Sequence, residues 1–207
     1  LNNDTIVNPT TLRALVDAAS VHPRAGMFGS KIHCRDRPDT IWFAGGFVQW
    51  HGLHGSHHRG MGEIDRGQYD RVEEVEYITG CSLLVRVATL RDIGPMSEDY
   101  FLYWEDVDWC TRARLAGWQC LYVPQSTLVH KVTPTERQPE IKRRYEMRNR
   151  LLGLAAHLDQ DIVHLAQAGF GHAQQVLGVA DVAQGDLQAF AAGQHFGGDG
   201  VASGVVA

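Results

Sequence analysis

The spacing of apolar residues changes several times between residues 1 and 150, and each change marks an element. Leu12, Leu15, Val16 and Ala19 recur at helical spacing behind Asn8-Pro9, which predicts a helix with Asn8 as N-cap and proline at N1. Met27 to His33 and Thr40 to Ala44 read as strands, Gly45-Gly46 as a turn and Phe47 to Trp50 as a returning strand. Residues 51–74 lose all period and fill with Gly, His and charge, so a long surface loop is expected. Val75 to Thr79 and Ser82 to Arg86 are strand-like on either side of Gly80-Cys81. Ala88 to Ile93 fits a helix stopped by Gly94 and Pro95, and Asp106 to Ala116 another stopped by Gly117. Trp118 to Val123 reads as a strand ended by Pro124, with Leu128 to His130 a separate extended piece. From Pro139 a longer helix carries Ile141, Tyr145, Arg148 and Leu152 on one face. Strands alternating with helices predict an α/β layered domain.

Composition changes this picture at one place. All 19 Lys and Arg lie in residues 1–150, with 19 of the 24 acids, whereas residues 151–207 hold five Asp and no Lys, Arg or Glu. A helical tail normally carries charge on its solvent face. Residues 153–207 therefore form a separate low-charge Ala/Gly-rich tail, helical or disordered, beside a domain over 1–152. Two origins fit this tail: a shifted reading frame of a GC-rich gene, or a low-charge native extension. The 207 residues are 44% hydrophobic, enough for one core. A net charge of −5 argues against nucleic acid as a partner. Cys34, Cys81, Cys110 and Cys120 lack metal-site spacing and read as reduced thiols of a cytoplasmic protein. No apolar run approaches 18 residues, so no span of a membrane is expected. The opening Leu1-Asn2-Asn3-Asp4 suggests a chain incomplete at its N-terminus.

The densest chemistry lies in Phe101-Leu102-Tyr103-Trp104-Glu105-Asp106-Val107-Asp108, where aromatic residues lead into three carboxylates. Carboxylates beside aromatic surface are costly unless solvated, paired or used. Asp106 and Asp108 equally suit first-turn capping, and Asp108 stands four residues before Arg112, the spacing of a helical ion pair. Asp4 is compatible with an Asx turn, Gly80 with a plain tight turn, and His130 and Trp104 with structural roles. His51, His54, His57 and His58 alternate with Gly and Ser, which fits a mobile loop better than a zinc site. Lys142, Arg143, Arg144, Arg148 and Arg150 form a basic run, either a solvated helix face or a surface for diphosphate or anionic lipid.

Several of these pieces occur together in a fixed order. They are Leu1-Asn2-Asn3-Asp4-Thr5 with Pro9, then Gly80-Cys81-Ser82-Leu83-Leu84-Val85-Arg86, Ile93-Gly94, and Tyr100 to Asp108. Arg112, Gly117-Trp118, Tyr122-Val123-Pro124, His130, Tyr145 and Arg148-Asn149 follow. In this order residues 1–150 resemble the C-terminal half of a family 2 glycosyltransferase of the GT-A fold, rhamnosyltransferase-like members above all. The resemblance implies a partial GT-A domain, a mixed sheet flanked by helices, whose nucleotide-binding half precedes residue 1. It also implies that Asp4 ends a DxD-type motif, here with Asn2 in place of the first acid, and with His130 holds Mg²⁺ or Mn²⁺ on a donor diphosphate. Arg148 is expected to contact that diphosphate.

Asp106 resembles the family's general base, with Glu105, Trp104, Gly80 and Cys81 on the acceptor side. The implied reaction is inverting transfer from a nucleotide-diphosphate sugar to a glycan or lipid-linked acceptor in cell-envelope polysaccharide synthesis, at the inner face of the plasma membrane if peripheral. Two other functions stand beside it: a non-catalytic fragment or carbohydrate-binding remnant, and a metallohydrolase built on the histidine loop.

Overall fold

A computed structural model describes residues 1–49, 55–131 and 139–167, with the side chains of the last segment described over 140–157. The chain divides into two units, Leu1–Gly153 and Leu154–Ala207, and every strand of the described residues lies in the first. In chain order the elements are β1 (Thr5–Val7), α1 (Thr11–Val21), β2 (Ala25–Cys34), β3 (Arg37–Phe43), β4 (Gly46–Gln49), β5 (Gly55–His58) and β6 (Glu73–Val75). A 3₁₀ turn (Gly80–Ser82), β7 (Leu83–Val85), α2 (Val87–Ile93), α3 (Glu105–Leu115), β8 (Gln119–His130) and α4 (Pro139–Gln167) complete the series.

The sheet is built on a parallel pair, β2 and β8, in register from Ala25↔Gln119 to Cys34↔His130. Four short strands pair antiparallel with this axis: β6 and β1 with the two ends of β8, β7 and β3 with the two ends of β2. Alternation sends Met27 and Cys120 into one core with Val107, Cys110 and Ala113 of α3. Phe28, Leu121 and Val123 face the other way, against Leu15 and Ala18 of α1. Each fully buried side chain of this size contributes about 1.5–3 kcal/mol. This is the mixed sheet flanked by helices that the sequence predicts.

Three expectations are corrected. Pro124 does not end a strand: β8 runs through it to His130, because residues 124–126 form a bulge between Ser30↔Val123 and Lys31↔Thr127. A bulge has no ladder bond for proline to break. Ser126 anchors it, its Oγ donating to the Thr11 carbonyl at 2.9 Å and lying 2.7 Å from Ser30 Oγ. The expected loop over 51–74 contains strands: β5 pairs β4, and β6 joins the sheet. Its intervening turn is pinned by buried Lys31, whose Nζ meets Asp65 at 2.9 Å and Asp70 at 2.5 Å. Helix α1 begins at Thr11 with Thr10 as N-cap, since Asn8 is occupied elsewhere; its Nδ2 donates to Thr127 Oγ1. Trp50, His51 and His54 lie outside the described residues, as does the tail beyond 167.

Candidate active site

The register Thr5↔His130 brings the residue before β1 against the end of β8. Asp4 Oδ2 and His130 Nε2 lie 3.1 Å apart, and Lys131 N donates to the Asp4 carbonyl at 2.9 Å. Asp4 Oδ1 and His130 Nδ1 are buried without a hydrogen-bond partner. In the tautomer that donates Nε2–H to Asp4, the Nδ1 lone pair points to the far side of the ring, away from that carboxylate. Trp42 packs edge-on against His130 with centroids 4.5 Å apart, and at the same distance against His58. Burial lowers His58 to a pKa of about 4, so it is a neutral packing residue at pH 7. His57 stacks on Phe47 across the β4–β5 hairpin. The two histidines described from the expected mobile loop are thus parts of a strand.

The 3₁₀ turn links this pair to the acidic cluster. The Cys81 carbonyl accepts from Asn2 N at 3.1 Å, while Gly80 N donates to Asp106 Oδ2 at 2.8 Å. A Cβ on Gly80 would meet Asp106 Cβ and Oδ2 at 3.8 Å, ordinary contact, with nothing nearer. Gly80 therefore borders the Asp106 carboxylate on a side free of packing. The Cys81 side chain is buried, and burial, with Asp4 and then Asp106 adding to it, pushes the thiol up to about 12. An uncharged, enclosed thiol leaves Cys81 only its backbone to offer.

Asp106 stands in the first turn of α3, and its Oδ1 accepts from Val107 N at 2.8 Å. Burial raises its pKa more than the N–H groups of Gly80 and Val107 lower it. A carboxylate raised in this way is a better proton acceptor near neutrality. Burial, and then the neighbouring Asp106 charge, also raise Glu105, whose Oε2 is enclosed without a hydrogen-bond partner.

Asp108 does different work. It is 5% exposed, accepts from Arg112 Nε at 2.9 Å and from the Tyr100 hydroxyl at 3.3 Å. Arg112 also donates to the carbonyls of Ile93 and Pro95. This is the expected i,i+4 pair, extended into a brace across the approach to α3.

The approach itself is bent out of ordinary conformation. Phe101, Tyr103 and Trp104 all have positive φ, at 56°, 67° and 73°. Non-glycine residues held there cost about 1–3 kcal/mol each and persist only when their surroundings enforce them. Trp104, expected as an acceptor-facing ring, is 7% exposed and belongs to the core, where a Cβ on Gly153 would come within 2.9 Å of it. Left-handed backbone at position 104 turns the ring inward. Arg148 is likewise redirected: its Nη1 donates to the Asp99 carbonyl and to Asn149 Oδ1, both at 2.7 Å, bracing this loop. Sequence reasoning missed the part played by Asn149. The signal was a polar residue in the apolar stripe of α4, four after Tyr145 and three before Leu152.

Among the described residues no group of three or more His, Cys, Asp and Glu is gathered as a metal cluster. Asp4 and His130 would each supply one donor atom to an ion completed by ligand oxygens and water only where that ion replaces their mutual hydrogen bond. No helix of the described residues is long and apolar enough to cross a membrane.

A family model described as glycosyltransferase like family 2 matches residues 1–150. The N-acetylglucosaminyl-diphospho-decaprenol L-rhamnosyltransferase of Mycobacterium tuberculosis is 34% identical over 150 residues, covering 67% of this chain and 48% of that protein. Rhamnosyltransferase WbbL of Escherichia coli (strain K12) is 36% identical over 56 residues, 27% of this chain and 21% of its own. The chain thus spans about half the length of the mycobacterial relative.

Proposed function

The chain belongs to the family 2-like glycosyltransferases, and from that premise we propose that it supplies the acceptor and diphosphate side of an inverting sugar transferase. The observation that carries this reading is the 79–82 turn, which joins the Asp4–His130 pair to Asp106 through backbone hydrogen bonds. A departing diphosphate and an attacking hydroxyl need such stations at either side of one anomeric carbon.

In this reading the acceptor oxygen attacks the anomeric carbon while Asp106 takes its proton. The bond to the diphosphate breaks, and the nucleotide leaves with the electron pair. One displacement inverts the anomeric configuration. Gly80 N–H keeps the Asp106 oxygen oriented, and burial keeps it basic. Glu105, whose Oε2 has no hydrogen-bond partner, would accept from a second acceptor hydroxyl. The backbone of Gly80 and Cys81 lines the same side. Asp4 and His130 would hold a divalent cation in place of the hydrogen bond they share, with imidazole favouring Mn²⁺ over Mg²⁺; bound there, it would offset charge on the diphosphate.

The mycobacterial relative's name gives a lipid-linked diphospho-sugar acceptor, and we assign this chain the same acceptor class in cell-envelope polysaccharide synthesis. The basic run of α4 suits it to the anionic inner face of a membrane. Exposed Ile141 and Phe101, the latter 78% exposed with its ring 5.5 Å from Tyr145, lie beside that run. The nucleotide base and ribose would be gripped by a preceding half-domain.

Titration calorimetry with nucleotide-diphosphate sugars and Mn²⁺, a rhamnosyl donor first, tests this assignment. Binding that requires the preceding half-domain, and transfer that falls about 10²–10⁴-fold in Asp106→Asn, are expected. Undiminished transfer by that variant would remove Asp106 as the base.

A further inference from the structure

We propose that Asn149 is a positioning residue that locks the left-handed 101–104 loop from α4 and thereby aims Glu105 and Asp106. The role of the two acids rests on the reading above; the lock itself rests on geometry alone.

Asn149 is fully buried, and its Nδ2 donates to three carbonyls at once: Tyr100 at 2.6 Å, Leu102 at 2.7 Å and Tyr103 at 2.7 Å. Two N–H bonds serve three acceptors, so one is shared. Those carbonyls belong to the segment in which Phe101, Tyr103 and Trp104 hold positive φ. A chain of L-residues leaves that conformation unless held, and here the holder comes from outside the loop. Asn149 Oδ1 is in turn fixed by Arg148 Nη1, which also takes the Asp99 carbonyl. One turn further along α4, Gly153 lets the Trp104 ring approach to a distance no side chain would permit. Arg148, Asn149 and Gly153 of α4 thus grip residues 99–104.

The loop leads directly into the chemistry. Trp104 is the N-cap of α3, and its carbonyl accepts from Asp108 N at 2.9 Å. Its left-handed backbone sets the direction in which Glu105 and Asp106 leave the helix start. Gly80 N–H to Asp106 Oδ2 is then the sensitive gauge of that direction. Only a primary amide provides two donors toward the loop and an acceptor toward Arg148 in so small a volume. Aspartate has the shape but no donor, and would set a charge against three carbonyls.

The Gly80 amide resonance of this chain reads the lock without any activity. Asn149→Ala should move it upfield by several tenths of a ppm as its bond to Asp106 lengthens. Leu15→Ala, in the separate α1 core, is the control, matched in melting temperature by choice of conditions, and should leave it in place. Asn149→Ser, milder and too short to reach three carbonyls, should give a smaller shift in the same direction and serves if the alanine variant does not fold. In the full-length transferase, Asn149→Ala should lower kcat at least tenfold with the donor KM within twofold, whereas Leu15→Ala should change neither. A Gly80 resonance unmoved in a folded Asn149 variant, or moved equally by Leu15→Ala, overturns the proposal. Unchanged turnover in Asp106→Asn would instead overturn the assignment of the base and leave the resonance test of the lock standing.

Discussion

Replacing Asp108 separates the acid that builds the site from the acids that work in it. In Asp108→Ala the Arg112 Nε loses a charge-assisted bond of 2.9 Å, and the Tyr100 hydroxyl loses its acceptor. The first is worth about 1.5–3 kcal/mol and an unsatisfied buried hydroxyl costs about 1–3 kcal/mol. Arg112 is 26% exposed and keeps the carbonyls of Ile93 and Pro95, so water and those bonds recover part of the loss. The net expectation is a destabilisation of about 3 kcal/mol, read as a fall of roughly 6–12 °C in melting temperature for a domain of this size. Asp108→Asn keeps the shape and one acceptor, and should lose about 1–2 kcal/mol. Pairing Asp108→Ala with Arg112→Ala in a double-mutant cycle should return a coupling of about 1–2 kcal/mol. Spectrophotometric titration adds a second measure. Burial, and then Asp108, raise the Tyr100 phenol above its ordinary range, so the variant should titrate earlier. A variant that melts at the wild-type temperature yet has lost transfer would refute the reasoning and make Asp108 a reacting group.

Asp106→Asn should raise the melting temperature at neutral pH while lowering transfer as stated above. Burial raises the folded pKa of Asp106 above its unfolded value, so its favourable contribution exists at low pH and is lost as pH climbs through the folded value. Melts of both proteins from pH 3 to 7 should diverge upward, and a pH-independent gap would contradict this. Asp65 behaves in the opposite sense: although burial pushes its pKa up, Lys31 and His33 hold it at about 2. Its contribution is full above the unfolded value near 3.8 and drains away as pH falls toward about 2, a loss that Asp65→Asn should remove from an acid-denaturation curve. Asp4→Ala and His130→Ala should each weaken Mn²⁺ binding at least tenfold, measured by paramagnetic resonance of free Mn²⁺; unchanged affinity in both would place the ion elsewhere.

What the sequence made legible was carried by local signals. Gly94 and Gly117 were expected as helix stops, and both hold positive φ there, at 74° and 87°. Met27, Phe28 and Ile32 mark the stretch read as a strand over Met27 to His33, which lies within the central strand. The ordered motifs brought Asp4 to His130 and Gly80 to Asp106 although more than a hundred residues separate the first pair. What was not legible depended on tertiary surroundings. Gly55-Ser56-His57-His58 has no apolar alternation, and it is a strand because Phe47, Trp42 and Phe43 supply its packing from elsewhere. Pro124 argued against a continuous strand until the bulge explained it. The inward turn of Trp104 and the redirection of Arg148 follow from positive φ values, which an aromatic sequence gives no reason to expect.

The bulge at residues 124–126 has a consequence for how such a site can change over time. Side chains alternate faces along β8, so the count of residues between Val123 and Thr127 decides which face His130 presents. Removing one residue there would reverse Thr127 to His130 as a group, sending Leu128 out of the core and His130 away from Asp4. A change in the length of this stretch thus disturbs the core and the site together. Inheritance in this sheet is therefore a matter of spacing as much as of residue identity, and β8 is the ruler.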